Sequence, residues 1–151
     1  MLCSYCGMDP KKLKDRTEKF SNDIVTFCAP LLVNVEAKDI ARQLMRAGTA
    51  VDSNYGSAQR ARTHKEFTAK IGVVLDDVSE SLGWLTLLKS SKLVPSTPLL
   101  SALHQESDEL TRIFAKSFRT AKSKEADDKE GRKRRKKRNP DEEAASPETS
   151  D

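Results

Sequence analysis

Two runs of apolar residues with helical spacing constrain the fold of this chain more than any other feature. In each run, small or apolar residues recur in alternating steps of four and three, with one position missing. That spacing places the members of a run on one face of an α-helix. They are Ile40, Leu44, Ala47, Val51, Ala58 and Ala61 in the first run, and Phe67, Ile71, Val74, Val78, Leu85 and Leu88 in the second. The sequence therefore predicts two long helices folded back on each other.

The missing positions in the two runs are occupied by Asn54 and Ser81. A polar residue inside an apolar seam commonly fixes the register or pairs across the core, so Asn54 is predicted to have a structural role. Glu80, four residues before Trp84, is predicted to be a buried acid. Its expected partner across the bundle is Asn54 or an arginine of the second helix.

Capping residues divide the chain into four predicted helices. The caps are Asp15 with Glu18, Asn34, Thr63 with Glu66, and Thr97; Asp9 before Pro10 is an alternative, earlier start for the first helix. The helices are expected over residues 15–30, 35–60, 63–90 and 98–122. Short connections force neighbouring helices to run in opposite directions. The predicted fold is all-α, an antiparallel up-and-down four-helix bundle over residues 15–123, with a flexible leader over 1–14 and a disordered tail over 124–151.

Three stretches carry a resemblance to a known family. They read Gln-Leu-x-Arg-x-Gly-Thr-x-Val-x-x-Asn-Tyr (43–55), Arg-x-Arg-x-x-x-Glu-Phe (60–67) and Glu-x-x-x-Trp-Leu (80–85). The pattern resembles the bacterial four-helix-bundle family that includes the 23S rRNA intervening-sequence proteins and the reverse-transcriptase accessory proteins of diversity-generating retroelements. The resemblance covers roughly Asp15 to Lys122. It implies a homopentamer of up-and-down bundles, whose partner is structured RNA or a reverse transcriptase.

Cations are concentrated in two parts of the sequence. The tail contains an unbroken run of seven: Arg132, Lys133, Arg134, Arg135, Lys136, Lys137 and Arg138. The body contains a second set, Arg42, Arg46, Arg60, Arg62 and Lys65, with His64 interpreted as a surface residue at the start of a helix. Such clusters neutralise phosphates and release bound counterions, so they are predicted to bind nucleic acid. The alternative is a solvated surface and a solubilising tail, because the tail has nine basic and nine acidic residues from 124 to 151.

Groups that could support catalysis or bind a metal are sparse. Glu80 shares a helical face with Asp76 and another with Asp77, but neither histidine has a glutamate three residues before it, as di-metal bundles require. Cys3 and Cys6 have the spacing of half a zinc site, which without two further donors favours a flexible leader with incidental thiols. Cys28, beside an apolar stripe, is predicted to be a small buried hydrophobe. The protein is therefore predicted to be non-enzymatic and to need no cofactor.

The remaining patterns concern location and assembly. The sequence has no apolar run of the roughly 20 residues needed to cross a bilayer and no signal-peptide pattern, which predicts a cytoplasmic protein. Apolar residues outside the main seams exceed what one bundle needs, which predicts self-association. They are Ala41, Met45, Gly48 and Tyr55 on the second helix and Leu75, Leu82, Trp84 and Leu87 on the third.

The sequence leaves two functions open. The first is a homopentameric bundle that binds structured RNA, or a ribonucleoprotein or reverse-transcriptase partner, through its basic surface and tail. The second is a protein-interaction scaffold that does not bind nucleic acid.

Overall fold

The computed structural model describes residues 7–138 and contains four α-helices in this range. They are α1 (Pro10–Cys28), α2 (Lys38–Gln59), α3 (His64–Ser91) and α4 (Pro98–Arg138), with a short 3-10 helix, Ala29–Val33, between α1 and α2. Helix α2 packs against α1 and α3, α3 packs against α4, and α1 closes the bundle against α4. The predicted all-α four-helix bundle is confirmed.

The first helix begins at the alternative predicted start, Asp9 with Pro10, and not at Asp15. Asp9 is the N-cap, since its side chain accepts a 3.0 Å hydrogen bond from the backbone N–H of Lys11, and Pro10 occupies the first turn. This is the arrangement that an aspartate followed by proline favours. Leu13 is 1% exposed, so its burial extends the apolar stripe of α1 toward the N-terminus. Residues 10–14 therefore belong to the bundle and not to a flexible leader.

The other caps agree more closely with the sequence. Asn34 Oδ1 accepts hydrogen bonds from the backbone N–H groups of Glu36 and Ala37, although the regular helix begins only at Lys38. Thr63 Oγ1 accepts from the backbone N–H of Glu66, which confirms the predicted start of α3. The carboxylate of Glu66 reaches the N–H of Arg62, one residue before the position that a standard capping box uses.

The fourth helix is longer than predicted. The sequence-based end near Lys122 is wrong, because α4 continues to Arg138. The loss of large apolar residues after 123 removes core contacts, but glutamate, lysine, arginine and alanine are strong helix formers. Acids also precede bases by four residues at Glu125 and Lys129 and at Glu130 and Arg134, which is the favourable order on a helix. The acidic end of the predicted tail, from 139 onward, lies outside the described residues, as do Cys3 and Cys6.

The core lies along the centre of the bundle and takes residues from all four helices. Its largest fully buried side chains include Phe20, Ile24, Leu44, Ile71, Leu85, Leu110 and Phe114. The rings of Tyr55 and Phe114 meet edge to face, with 5.4 Å between their centroids. Ala41, Gly48 and Tyr55, expected among the surplus apolar residues of the second helix, are buried within the bundle.

Part of the apolar surface of α3 remains outside the core. Val73 and Leu87 are 47% and 41% exposed, and Leu75, Leu82 and Trp84 are half-buried. Within residues 7–138, no helix is apolar over a length sufficient to span a membrane.

Candidate nucleic-acid interface

The chain direction brings three segments to the same end of the bundle. The start of α1, the turn between α2 and α3, and the later part of α4 all lie there, because neighbouring helices are antiparallel. The side chain of Lys14 approaches Gly56, which places the beginning of α1 beside the last turn of α2. The Nε2 atom of His64 is 2.8 Å from the carbonyl oxygen of Ala121, which joins the α2–α3 turn to α4. His64 is half-buried and contacts α4, so the interpretation of it as a surface residue is wrong.

Exposed cations cluster at this end of the molecule. We call the surface formed by Lys12, Arg60, Arg62, Lys65 and Lys122 the basic end; all five side chains are exposed. Lys122 also lies over the ring of Phe118, with Nζ 5.2 Å from the centroid, which holds this cation against the bundle. The structure therefore places together the three predicted body residues Arg60, Arg62 and Lys65.

An acidic group within the basic end is already compensated. Glu66 pairs with Lys70 Nζ at 2.8 Å and accepts a backbone hydrogen bond from Arg62. The Lys70 hydrogen bond is the main cause that lowers the pKa of Glu66, and the Arg62 hydrogen bond acts in the same direction. Glu66 therefore stays charged while it caps α3, and Lys70 offsets its charge.

The second predicted basic cluster lies on an outward continuation of α4. We call residues 122–138 the α4 extension. Ala121 is fully buried, whereas the residues after it are exposed except for the half-buried Glu125. At ~1.5 Å per residue, this segment is about 25 Å long. Its cationic part, Arg132–Arg138, follows a stretch that carries all four of its acids, and Arg134 pairs with Glu130 at 2.5 Å.

Two of the predicted binding residues do not join this surface. Arg42 lies near the start of α2 and pairs with Asp39 at 3.1 Å. Arg46 is also exposed; burial raises the pKa of Asp77, and the charge of Arg46 is a small opposing influence on that carboxyl group. Arg46 precedes Arg60 by 14 residues of continuous helix, or about 21 Å. Arg42 lies one turn farther from Arg60 than Arg46 does. Within one chain, neither Arg42 nor Arg46 can therefore share a single compact site with Arg60.

The predicted partner of Asn54 is also different from the observed one. Asn54 Nδ2 donates a 2.6 Å hydrogen bond to Asp77 Oδ2, while Glu80 is exposed and accepts from Trp84 Nε1 at 3.1 Å. The prediction that Glu80 is a buried acid is wrong. Asp77 lies three residues after Val74 and four before Ser81, so helical spacing places it beside the seam, whereas Glu80 faces solvent. Burial is the main cause that raises the pKa of Asp77, and the Asn54 hydrogen bond opposes it.

A polar link between α1 and α4 has no counterpart among the sequence predictions. Arg16 makes two 2.8 Å hydrogen bonds to the carboxylate of Glu106 and one of 2.9 Å to Glu109, which joins α1 to α4. The hydrogen bond to Glu106 is the largest contribution that raises the pKa of Arg16. The partners are 90 and 93 residues apart, so no local pattern indicates the pairing. This cation is engaged within the bundle and does not belong to the basic end.

The same absence of local signal applies to Asp52. Its Oδ1 atom accepts from Lys14 Nζ at 2.5 Å and lies 2.8 Å from Oγ1 of the buried Thr17. These contacts attach α2 to α1 close to the basic end. Lys14 is therefore half-buried and paired, whereas Lys12 remains exposed.

The reactive groups that the sequence singled out form no metal cluster within the described range. No group of three histidine, cysteine, aspartate or glutamate side chains among residues 7–138 is arranged to hold a metal ion. Cys28 is fully buried, and burial raises the pKa of its thiol to about 12. The interpretation of Cys28 as a small buried hydrophobe is confirmed.

The fold and its surface define a class of protein: a four-helix bundle with one cationic end extended by a helix. No protein-family model matches the sequence, and no curated protein matches it significantly. Among solved structures, the chain is similar to a Bacteroides thetaiotaomicron protein of unknown function from the S23 ribosomal protein family. The two are 23% identical with a TM-score of 0.65, over 74% of this chain and 99% of the other. The likeness shows a shared fold and agrees at that level with the family resemblance.

Proposed function

We propose that this protein is a non-enzymatic, cytoplasmic, homopentameric bundle that binds structured RNA, alone or within a ribonucleoprotein such as a reverse-transcriptase complex. One observation carries the proposal: α4 leaves the bundle at the end where Arg60, Arg62 and Lys65 lie and continues to Arg138. Two sets of cations that are far apart in sequence thus extend from the same end of the bundle, with the acids Glu125, Asp127, Asp128 and Glu130 between them.

Electrostatics gives this surface a strong and testable affinity for phosphates. Each phosphate neutralised by lysine or arginine releases condensed counterions, so log affinity falls with log salt by about 0.7 to 0.9 per phosphate. The basic end lies on helix ends and on the short turn between α2 and α3, which hold its cations in a defined arrangement that could discriminate the shape of an RNA. Shape is how double-helical RNA is mainly recognised.

Assembly would multiply the effect of this surface. The exposed Val73 and Leu87 on α3 supply an apolar face suited to contact with a second copy. A ring of five copies would present five basic ends, and simultaneous contacts raise affinity through effective concentration.

A scaffold that binds only proteins is the second candidate. It is favoured by Val33 and Val35, which are 87% and 81% exposed in the connection between α1 and α2. Because that connection lies at the end opposite to the basic end, it is a separate surface on which a protein partner could pack.

The deciding experiment measures binding of the full-length protein to a structured RNA over a series of salt concentrations. We expect a steep salt dependence that decreases when Lys124 to Asp151 is deleted. Arg60→Gln/Arg62→Gln should weaken binding to the structured RNA more than to a random single strand. The matched control is Lys89→Gln/Lys92→Gln, which removes two exposed cations from the opposite end and should bind nearly as wild type. Absence of salt-dependent binding to any RNA at low ionic strength would overturn the proposal in favour of the scaffold.

A further inference from the structure

The α4 extension has two properties that single it out from an ordinary charged tail. It is a continuous helix whose side chains are almost all exposed, and seven of its ten cations, Arg132–Arg138, occupy consecutive positions. Consecutive residues of a helix point about 100° apart, so seven of them surround the whole circumference in about two turns. The cationic segment therefore presents charge in every direction.

A ligand that uses such a surface fully must place phosphates on opposite sides of the helix. A single strand would lie along one side and leave the other cations unused. Proteins that bind single strands also rely on aromatic side chains as stacking platforms. Residues 122–138 contain no aromatic residue, so the extension offers charge and shape without a stacking surface.

A groove between two phosphate backbones satisfies this requirement. An α-helix with side chains is about 10–12 Å wide, whereas the major groove of regular A-form RNA is deep and narrow. A bulge or an internal loop interrupts the regular helix, and proteins read RNA mainly at such irregular sites. The groove beside such a site can be wide enough to hold a helix.

We propose that the α4 extension binds as a helix, and that its ligand is an RNA duplex whose major groove is opened by a bulge or internal loop. This inference rests on the proposed function, because it specifies which structured RNA the protein binds. The bundle then contacts the flanking phosphates through the basic end, while Arg132–Arg138 occupies the groove.

Gly131 provides a direct test of the helical requirement. It lies immediately before the cationic segment, and a Cβ atom added there would meet nothing within 4 Å. Gly131→Ala should therefore be accommodated without a clash and should favour the helix. Gly131→Pro removes a backbone donor and clashes with the preceding turn, so it breaks the helix at this point. Both variants keep the charge of the wild type, and position 131 is ten residues beyond the buried Ala121, so the bundle is not disturbed.

The experiment compares three forms of the full-length protein, wild type, Gly131→Ala and Gly131→Pro, on four probes. These are a bulged RNA hairpin, a perfect RNA duplex of equal length, a single-stranded RNA and a B-form DNA duplex. We expect wild type to bind the bulged hairpin at least fivefold tighter than the perfect duplex. Gly131→Pro should lose at least tenfold on the bulged hairpin and less than twofold on the single strand. Gly131→Ala should bind the hairpin at least as tightly as wild type, and circular dichroism should show that it is at least as helical.

Each contrary result has a distinct meaning. Equal binding of the bulged hairpin by wild type and Gly131→Pro would overturn the helical mode, while salt-dependent RNA binding by both would leave the proposed function standing. Equal loss in Gly131→Ala and Gly131→Pro would also overturn it, since the helix would not be the cause. Tighter binding to B-form DNA than to the bulged hairpin would overturn the RNA assignment. If none of the three forms, wild type included, binds any of the four probes, the proposed function itself is overturned.

Discussion

The side-chain amide of Asn54 donates a 2.6 Å hydrogen bond to a carboxylate oxygen of Asp77, which links the two central helices α2 and α3. Both side chains are half-buried, so the bond is partly shielded from water. A hydrogen bond to a charged group in such a place contributes about 1.5–3 kcal/mol. The pair therefore stabilises the packing of α2 against α3.

Exchange of the two residues tests this link. Asn54→Asp should destabilise the protein at neutral pH, because two carboxylates would then lie within hydrogen-bonding distance. The double variant Asn54→Asp/Asp77→Asn restores an amide and a carboxylate and should recover most of the lost free energy of unfolding. Urea denaturation of the two single variants and the double variant gives the coupling energy. Additive effects within about 0.5 kcal/mol would contradict a direct interaction.

The free energy of unfolding should depend on pH in part through the protonation of Asp77. Burial raises the pKa of this carboxyl group above its ordinary value of 3.8, and the nearby charges of Glu80 and Asp76 act in the same direction. The folded state thus binds the proton more tightly than the unfolded state. The contribution of Asp77 to stability is greatest at low pH and declines as pH rises from about 4 through the folded-state pKa.

Asp77→Asn should consequently remove a penalty that exists only at higher pH. The free energy of unfolding of Asp77→Asn minus that of wild type should be more favourable at pH 7 than at pH 3. Denaturant unfolding of both proteins at both pH values measures this difference. Asp76→Asn is the matched control, because Asp76 is exposed on the same turn and should show a smaller pH-dependent difference. A difference between wild type and Asp77→Asn that is independent of pH would contradict the assignment.

Gly48 lies where α1 and α2 approach each other closely. A Cβ atom at this position would lie 2.8 Å from both γ carbons of Ile24, and Ser21 Oγ donates to the Gly48 carbonyl oxygen. Gly48→Ala should therefore overpack the interface and destabilise the protein by about 1–3 kcal/mol. Thermal or urea unfolding would measure the effect.

To separate overpacking from other causes, Gly48→Ala is also made in the Ile24→Ala variant. That variant removes the γ carbons that Gly48→Ala would meet, so the alanine at 48 should cost less there than in wild type. The same cost in both backgrounds would show that contact with Ile24 is not the cause. Gly83→Ala is a control, since a Cβ atom at Gly83 meets nothing within 4 Å and alanine should stabilise the helix.

Lys92 ends α3 in the left-handed conformation, with φ 56° and ψ 21°. A non-glycine residue pays a steric cost there that glycine avoids. Lys92→Gly should stabilise the protein by about 0.5–1 kcal/mol, whereas Lys92→Ala keeps a Cβ atom and should not. The difference between the two variants in denaturant unfolding checks the prediction, and a less stable glycine variant would refute it.

Assembly can be tested on the exposed face of α3. We expect the wild-type mass in solution to be about five times the chain mass of 16.8 kDa. Leu87→Glu should reduce that mass without loss of helix, because Leu87 is already 41% exposed within a single chain. Leu82→Glu, at a half-buried position, should disturb both assembly and folding.

Val33→Glu is the control for the assembly experiment, since Val33 is 87% exposed but lies in the connection between α1 and α2. It should keep the wild-type mass. Light scattering and circular dichroism on all four forms give the answer. A well-folded wild-type monomer at micromolar concentration would refute the homopentamer.

The sequence by itself determined the number of helices, their order and most of their ends. Periodicity and capping are local properties, because an apolar stripe needs only a spacing of three and four, and Thr63 reaches Glu66 within one turn. The helix of residues 122–138 was also encoded locally, through strong helix formers and the order of acids before bases. The absence of apolar residues, on which the predicted disorder rests, only means that the segment has no core to contact.

The tertiary structure alone decided which polar residues meet. Asn54 pairs with Asp77 and not with Glu80, and Arg16 pairs with Glu106 across 90 positions of sequence. Side chains such as these have several chemically equivalent partners, and only the rotation and register of the packed helices selects among them. The same packing brings Arg60 beside the departing end of α4 and leaves Arg42 far from it. The candidate surface therefore depends on three-dimensional proximity that one-dimensional charge counts do not contain.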